Sequence, residues 1–168
     1  MVSLLEEKSF LSQNVKIKKL FSNKEIHLHH FFNQTTKIFP ENVIVRNQFI
    51  FFFVKNEDYF KAKRFLKKLR TLLTDKKVLI IRSETTLINL LFSFFPDTYI
   101  HDINLDIEEN TGNRLIRIIF IFYEDRGIAI GRSGDYINMV NNIFENYVTL
   151  ESFENPLKIK CDIIDLEY

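Results

Sequence analysis

A cluster of glycines marks the segment of this sequence that is best suited to hold a ligand. Gly131 and Gly134 enclose Arg132 and Ser133, and they lie between two segments of helical character. Glycines let the backbone approach a ligand without interference from a Cβ atom. The first N–H groups of the following helix are unpaired and partly positive, so they can hold a phosphate. Arg132 adds a charge-assisted contact. The pattern predicts a turn that binds a phosphate or a sugar-phosphate backbone.

The Gly-x-x-Gly pattern excludes two other phosphate-binding loops. A P-loop requires a Gly-Lys-Ser/Thr end, which is absent, and the dinucleotide-binding folds require Gly-x-Gly-x-x-Gly. A glycine-containing turn between two helices, without a ligand, remains an alternative for these four residues.

Histidines and carboxylates occur elsewhere, but their spacing does not build a site. His27, His29 and His30 could bind a metal from a strand, yet no acid or cysteine partner is evident nearby, so we expect an exposed or partly packed segment. Asp106 and the Glu108–Glu109 pair fall at a predicted hairpin tip, where we expect solvated carboxylates rather than acid–base catalysis.

Nucleophilic side chains also lack the arrangement that catalysis needs. Ser83 and Ser133 have no arranged histidine and acid. Cys161 is the single cysteine, so it closes no internal disulfide and builds no cysteine metal site, and its strand-like surroundings predict a core position. We therefore predict that the protein is not an enzyme and has no catalytic residues, no metal and no cofactor.

The composition is that of a globular chain. Its 168 residues are 46% hydrophobic and 27% charged, with only 4 Gly and 3 Pro. The length fits one ordinary domain or two small ones. We expect no membrane span, because no window of about 18 uncharged apolar residues occurs. We also expect no secretory signal, because the first residues lack an apolar region.

The small net charge of +1 hides an asymmetry between the two ends of the chain. Residues 1–100 carry +8 and residues 101–168 carry −7. A basic half suggests an anionic partner, and a self-complementary pair of subdomains is the alternative.

Hydrophobic patterns predict an alternation of strands and helices. The predicted strands or hairpins cover residues 43–54, 78–81, 99–107, 115–123 and 158–164. The predicted helices cover Asp58–Thr74, Leu87–Phe95 and the segment after Gly134. Residues 1–25 are predicted as a helix or a loosely held arm.

The order of these elements repeats. Phe49–Phe51 aligns with Phe120–Phe122, and three leucines of the first long helix align with apolar residues after Gly134. The unit would run strand, turn, strand, helix, tight turn, helix, strand. In this alignment Gly131–Gly134 falls opposite Phe60–Lys63, which holds no glycine. Chance matching of apolar residues is the alternative.

Gly-x-x-Gly after a β-hairpin and between two helices is the arrangement of a KH domain, whose loop clamps about four nucleotides of a single strand. Residues 77–148 resemble the tandem KH region of the NusA family, most closely the short archaeal-type NusA-like proteins. The segment EDRGIAIGRSGDYINMV is similar to the family's second KH domain. The matching positions are Asp125, Gly127, Ala129, Ile130, Gly131, Arg132 and Gly134. Tyr136 stands near a family asparagine.

The resemblance implies an α+β fold of two tandem type II KH-like units, the first of them degenerate. We predict an N-terminal arm or lead-in over residues 1–42 and the degenerate unit over 43–82. The KH unit is predicted over 83–168, and it contains Gly131–Gly134, the GRSG loop.

The resemblance further implies an RNA-binding protein of transcription elongation, termination or antitermination. Its partners would be single-stranded RNA and either RNA polymerase or the ribosome, without a membrane. The predicted RNA-binding residues are Ile128, Ala129, Ile130, Gly131, Arg132, Ser133, Gly134 and Ile137. Possible phosphate contacts in the first unit are Lys61, Lys63, Arg64, Lys67 and Lys68. The alternatives are a ribosome-associated KH protein and a KH-fold protein–protein module that has lost RNA binding.

Amino-acid usage predicts the genome of origin. Phe, Ile, Lys, Asn and Tyr make up 76 of the 168 residues, and A/T-rich codons encode them. Together with a degenerate KH pair this favours encoding in a plastid, and a prokaryotic cytoplasm is the alternative.

Overall fold

The computed structural model describes residues 2–152 and 157–166 and mixes helices with small sheets, which confirms the predicted α+β class. The helices are α1 (Leu4–Leu11), α2 (Asn23–Thr36), α3 (Tyr59–Lys63), α4 (Leu66–Leu72), α5 (Leu87–Ser93), α6 (Tyr123–Ile130) and α7 (Asp135–Asn146). The strands are β1 (Val15–Ile17), β2 (Asn42–Arg46), β3 (Phe49–Val54), β4 (Lys77–Arg82), β5 (Ile100–Ile107), β6 (Arg114–Phe120), β7 (Val148–Leu150) and β8 (Leu157–Ile163). Within the described ranges, no helix is long and apolar enough to cross a membrane.

The chain forms two compact units whose bounds differ from the predicted ones. The continuous unit is Ile17–Glu84, and the split unit combines Met1–Lys16 with Thr85–Tyr168. Residues 1–16 are therefore not a lead-in to the first unit. Backbone hydrogen bonds attach them to the split unit, from Val15 N–H to Thr85 O at 2.9 Å and from Leu87 N–H to Gln13 O at 3.0 Å.

The continuous unit is a three-stranded sheet with helices over one face. Strand β3 is central, antiparallel to β2 and parallel to β4. Alternate strand residues such as Ile50 and Phe52 join Ala62 and Leu69 of the helices in one buried cluster. Phe32 of α2 stacks on Phe52 with ring centroids 4.5 Å apart. The Phe-rich stretch Phe49–Phe53 is thus core.

The split unit repeats this design. Strand β6 is central, antiparallel to β5 and parallel to β8, and a two-stranded β1–β7 sheet is added. The apolar face of α7 is buried, with Val140 and Ile143 fully covered. Phe144 of that face packs against Phe94 with ring centroids 5.3 Å apart. Both units therefore follow the order helix, strand, strand, helix, helix, strand.

The predicted register of the repeat is wrong, although the order of elements recurs. Phe49 begins β3, whereas Phe120 ends β6. The two segments align by their aromatic and β-branched residues alone, and such residues recur along both strands. Strand β6 also ends at Phe120, three residues before the predicted end at Tyr123, because Tyr123 is already the first residue of α6.

The helix predicted over Asp58–Thr74 is broken in two. A 3₁₀ turn at Asn56–Asp58 leads into α3, and α4 begins at Leu66 after a break at Arg64 and Phe65. Both break residues keep right-handed helical dihedral angles, with φ of −59° and −93°. The apolar spacing continues through the break, so the sequence pattern did not indicate it.

Candidate nucleic-acid interface

The GRSG loop joins α6 to α7 through a left-handed backbone. Gly131, Ser133 and Gly134 have φ of 80°, 54° and 76°. A Cβ atom on Gly131 would lie 2.2 Å from Asp135 Oδ1 and 2.8 Å from the backbone nitrogen of Tyr136. Glycine is therefore required at position 131 by both dihedral angle and space. The N–H groups of Gly131 and Gly134 donate to the carbonyl oxygens of Gly127 and Gly131, at 2.9 and 3.2 Å, so a ligand would meet a backbone without Cβ atoms at these glycines rather than a row of free N–H donors.

The amino-terminal end of α7 follows the loop directly. Gly134 is its N-cap residue and makes no side-chain capping hydrogen bond. Asp135 occupies the first turn and places its carboxylate beside Gly131. An acid at this end of a helix is stabilised by the helix dipole, but it also occupies the electrostatic position that a phosphate would take. Sequence reasoning missed this residue, although its place directly after the second glycine was a visible signal.

The two middle residues of the loop are accessible. Arg132 and Ser133 are both exposed. The guanidinium of Arg132 can reach a phosphate, and the Ser133 hydroxyl can donate or accept a hydrogen bond.

The four apolar residues predicted to support bases do not share one surface. Ile128 is 57% exposed, whereas Ala129 is 1% exposed and belongs to the core. Ile130 and Ile137 are half-buried. Ala129 therefore offers no side-chain surface to a base, because it is on the buried side of α6, and its predicted contact role is wrong.

Two exposed aromatic residues lie at the start of α6, and sequence reasoning did not single them out. Phe122 is 57% exposed and Tyr123 is 76% exposed. The sequence pattern instead predicts both as the end of the second hairpin strand, over residues 115–123. The change from strand to helix at this point leaves both rings in solvent.

Tyr136 anchors the first turn of α7. Its hydroxyl donates a hydrogen bond to the carbonyl oxygen of Phe94, and its ring packs edge-on against Phe95 with centroids 5.9 Å apart. Burial raises the pKa of Tyr136, and the nearby Cys161 raises the pKa further, to a smaller extent. At the position near the family asparagine, this chain thus uses a buried phenol that fixes the loop's second helix to the core.

The outer edge of β8 is covered by side chains of the two helices. The amide of Asn141 donates to Ile159 O at 2.9 Å and accepts from Ile159 N–H at 2.7 Å. Arg126 Nε donates to Cys161 O at 3.2 Å. An edge strand normally presents unpaired backbone groups to other chains. Here the backbone groups of Ile159 are already bonded, so a ligand beside α7 would not find them free.

Cys161 lies in the core, as predicted. Its side chain is buried, and burial raises the pKa of the thiol to about 12. A thiol with such a pKa holds little thiolate at neutral pH, so it is a poor nucleophile.

The five cations predicted as phosphate contacts differ in their availability. Lys61, Arg64, Lys67 and Lys68 are exposed on α3, α4 and the break between them. Lys63 is half-buried, with its ammonium 6.0 Å from the centroid of the Tyr59 ring. A related aromatic contact is made by Arg82, whose guanidinium lies 4.3 Å from the same ring. The set therefore forms a charged face rather than one converging site.

The clustered His27, His29 and His30 lie on α2, not on a strand. Burial, and next the neighbouring His30, lowers the pKa of His29. Across residues 2–152 and 157–166, no group of three or more His, Cys, Asp or Glu side chains is placed to hold a metal ion.

The carboxylates near the β5–β6 hairpin make structural contacts. Asp106 and Asp162 flank Arg117, which lies 2.6 Å from Asp162 and 3.5 Å from Asp106. The hydrogen bond to Asp162 is the main cause of the raised pKa of Arg117. Glu108 accepts a hydrogen bond from the Thr111 hydroxyl at 2.9 Å.

Comparison with known proteins finds similarity in fold. No family model matches the sequence, and no curated protein matches it. The chain is similar to the crystal structure of APE1850, with 22% sequence identity and a TM-score of 0.57. The similarity covers 86% of this chain and 100% of that one. At this identity the likeness concerns the fold alone.

Proposed function

We propose that this chain is a non-catalytic protein of two tandem type II KH-like units that binds single-stranded RNA through its GRSG loop. As in the NusA family that it resembles, it would act in transcription elongation, termination or antitermination. The single observation that carries the proposal is the glycine-dependent loop, which places a left-handed backbone between two helices directly after a β-hairpin.

The order of elements supports the KH-like assignment of both units. In each unit a hairpin is followed by two helices and by a strand that is parallel to the second hairpin strand. This is the order that the resemblance implies. The first unit keeps the order without the glycines, which agrees with a degenerate KH-like unit.

Different residues of the loop and of α6 would contact different parts of a bound RNA strand. The backbone from Gly131 to Gly134 would contact the sugar-phosphate chain, and Arg132 would pair with a phosphate oxygen. The exposed Ile128 would support a base, and the exposed rings of Phe122 and Tyr123 at the start of α6 would offer a separate surface for stacking. Ala129 would hold α6 on the core and would not touch RNA.

Fluorescence anisotropy with short single-stranded RNAs tests the proposal. We expect the double variant Arg132→Asp with Ser133→Asp to lose binding by at least tenfold, because it places two carboxylates where the phosphate would lie. The matched control is Lys8→Asp with Ser9→Asp on exposed positions of α1, which changes the net charge equally. Thermal unfolding followed by circular dichroism verifies that both variants fold. Equal RNA affinity in the loop variant and the control contradicts the clamp.

A protein–protein module is the second candidate, and one observation favours it. The split unit carries 8 basic and 16 acidic residues, a net charge of −8, beside the exposed Phe122, Tyr123 and Ile128. Acidic surface repels RNA, whereas exposed aromatic side chains suit a protein partner. Failure of the folded wild type to bind any RNA at low salt would favour this candidate. Co-sedimentation with ribosomes rather than with RNA polymerase would favour the ribosomal role.

A further inference from the structure

A basic pocket lies in the continuous unit, which does not contain the GRSG loop. Its volume is about 410 Å³, and its lining includes Lys19, Lys37, Lys55 and Lys61. Only Lys61 belongs to the cations that the sequence singled out as phosphate contacts. The four lysines come from three stretches of the chain, at Lys19, at Lys37 and at Lys55–Lys61, so the fold, not a local charge run, places them at one pocket.

The turn after α2 builds one wall of this pocket. The buried Thr36 hydroxyl donates to Phe32 O at 2.8 Å and accepts from Ile38 N–H at 3.1 Å. Lys37 takes a left-handed conformation with φ of 64°, and Ile38 enters the core. This alternation turns the side chain of Lys37 outward, and it fixes the wall by buried contacts rather than by solvent-exposed ones.

The charges in the pocket favour an anion. Four lysines face two acids, Glu41 and Asp58. Glu41 pairs with Lys55 at 3.7 Å, and both side chains are partly exposed. The whole continuous unit has 15 basic and 6 acidic residues, a net charge of +9, so its field adds to the local excess of lysines. A phosphate would lose less hydration in this open pocket than in a closed cavity, and it would gain several ammonium contacts.

An exposed aromatic ring lies at the pocket. Phe39 lines it and is 64% exposed, although its neighbours Ile38 and Pro40 are both buried. The buried neighbours hold the backbone at Phe39 against the core while its ring faces solvent. Stacking of a base on such a ring strengthens the binding of single strands and tolerates any base.

From these observations we infer that the continuous unit has a phosphate-binding pocket of its own, formed by Lys19, Lys37, Lys55 and Lys61, which takes a nucleotide unit with its base on Phe39. This inference goes beyond the proposed function, because the pocket lies in the unit that lacks the glycine loop. The phosphate can come from a single-stranded RNA or from a free nucleotide, and the experiment below separates these sources.

The test uses the full chain in which Arg132→Asp with Ser133→Asp has already disabled the loop. Into it we introduce Lys19→Gln, Lys37→Gln and Lys61→Gln together. The control triple, Lys8→Gln, Lys16→Gln and Lys24→Gln, removes the same charge from exposed positions outside the pocket. The probes are a labelled short single-stranded RNA, adenosine monophosphate and inorganic phosphate, titrated at low and near-physiological salt. Circular dichroism checks the fold of each protein.

We expect the pocket triple to weaken RNA binding about tenfold relative to the control triple and to reduce the magnitude of the salt slope by about 1. Phe39→Ala should weaken RNA binding about fivefold without changing the salt slope. If the pocket triple instead loses binding of the mononucleotide or of phosphate and keeps binding of RNA, the phosphate-binding pocket is confirmed, and the phosphate that it binds comes from a free nucleotide. If all three probes bind the pocket and control triples equally, the inference is wrong, and the loop proposal is unaffected.

Discussion

The two units share an order of elements but differ in what each offers to a nucleic acid. The split unit holds the glycine loop and has a net charge of −8, whereas the continuous unit lacks the loop and has a net charge of +9. Under the proposed function, the backbone geometry that clamps a strand would lie in one unit, and the long-range attraction of an anionic strand would lie in the other. A glycine motif alone therefore says little about which unit would attract RNA.

The helix junctions explain why only one unit needs glycines. In the split unit the chain passes through positive φ at Gly131, Ser133 and Gly134. In the continuous unit Arg64 and Phe65 stay in the right-handed region, which any residue adopts. The continuous unit therefore needs no glycine at this junction, because its backbone stays in the right-handed region there. Its junction offers no left-handed turn to a ligand, and its lysine pocket lies elsewhere in the unit.

The largest effect that we predict comes from Gly131→Ala. The added Cβ would meet Asp135 Oδ1 and Tyr136, and the residue would be held at φ of 80°. The cost of a left-handed alanine together with overpacking is about 3 kcal/mol. Urea unfolding of the variant should show this loss, and RNA binding should fall as the loop shifts.

Two other glycines serve as controls for Gly131→Ala. Gly112 has φ of 71° but open space around its Cβ position, so Gly112→Ala should cost about 1 kcal/mol. Gly127 lies inside α6 with open space and no positive φ, so Gly127→Ala should stabilise the protein by about 0.5–1 kcal/mol. If Gly131→Ala costs no more than Gly112→Ala, the loop does not depend on its close backbone packing.

The edge strands give a second comparison between the units. Asn141 bonds both backbone groups of Ile159 on β8, whereas in the continuous unit Arg70 Nε makes one bond to Val78 O on β4 at 3.2 Å. Asn141→Ala should cost about 2 kcal/mol in urea unfolding, and Arg70→Ala about 0.5 kcal/mol. Hydrogen exchange at the Ile159 amide should accelerate in Asn141→Ala.

The control for the Asn141 prediction is Asn138→Ala at an exposed position of the same helix. It should leave both stability and Ile159 exchange near the wild-type values. Equal protection of the Ile159 amide in both variants would show that β8 does not rely on the asparagine, and the proposed difference between the two edges would be lost.

Local sequence signals predicted much of this fold. The β-branched and aromatic run of 43–54 predicted a strand or hairpin where the β2–β3 hairpin lies, and the spacing of Gly131 and Gly134 predicted the loop between two helices. Leu157–Ile163 alternates buried and exposed residues, as expected for the last strand. In these segments, neighbouring residues carry the information that fixes the structure.

Other features depend on contacts between distant residues, and no local pattern encodes them. The bond between Gln13 and Leu87 places the first residues in the split unit. Lys19 and Lys61 line one pocket although α2, β2 and β3 lie between them in the chain. Of the candidate site, the loop residues could be predicted from sequence, whereas the burial of Ala129 could not, since an apolar residue before a loop is equally suited to either side of a helix.

The smallest change in RNA affinity that we predict tests whether a bound phosphate lies at the GRSG loop of the split unit. Asp135 places a carboxylate beside Gly131 in the first turn of α7. Asp135→Asn removes that charge and keeps the side-chain shape. Because the charge would repel a nearby phosphate, RNA affinity should rise about threefold at low salt, and the gain should shrink as salt screens the repulsion.

Glu145→Gln, an exposed position near the other end of α7, is the charge-matched control and should change affinity less. Equal gains in the two variants would mean that only net charge matters, and the assignment of clamping geometry to the split unit would fail. A gain confined to Asp135→Asn, and kept when the lysine pocket is disabled, would locate a phosphate at the loop independently of the basic unit.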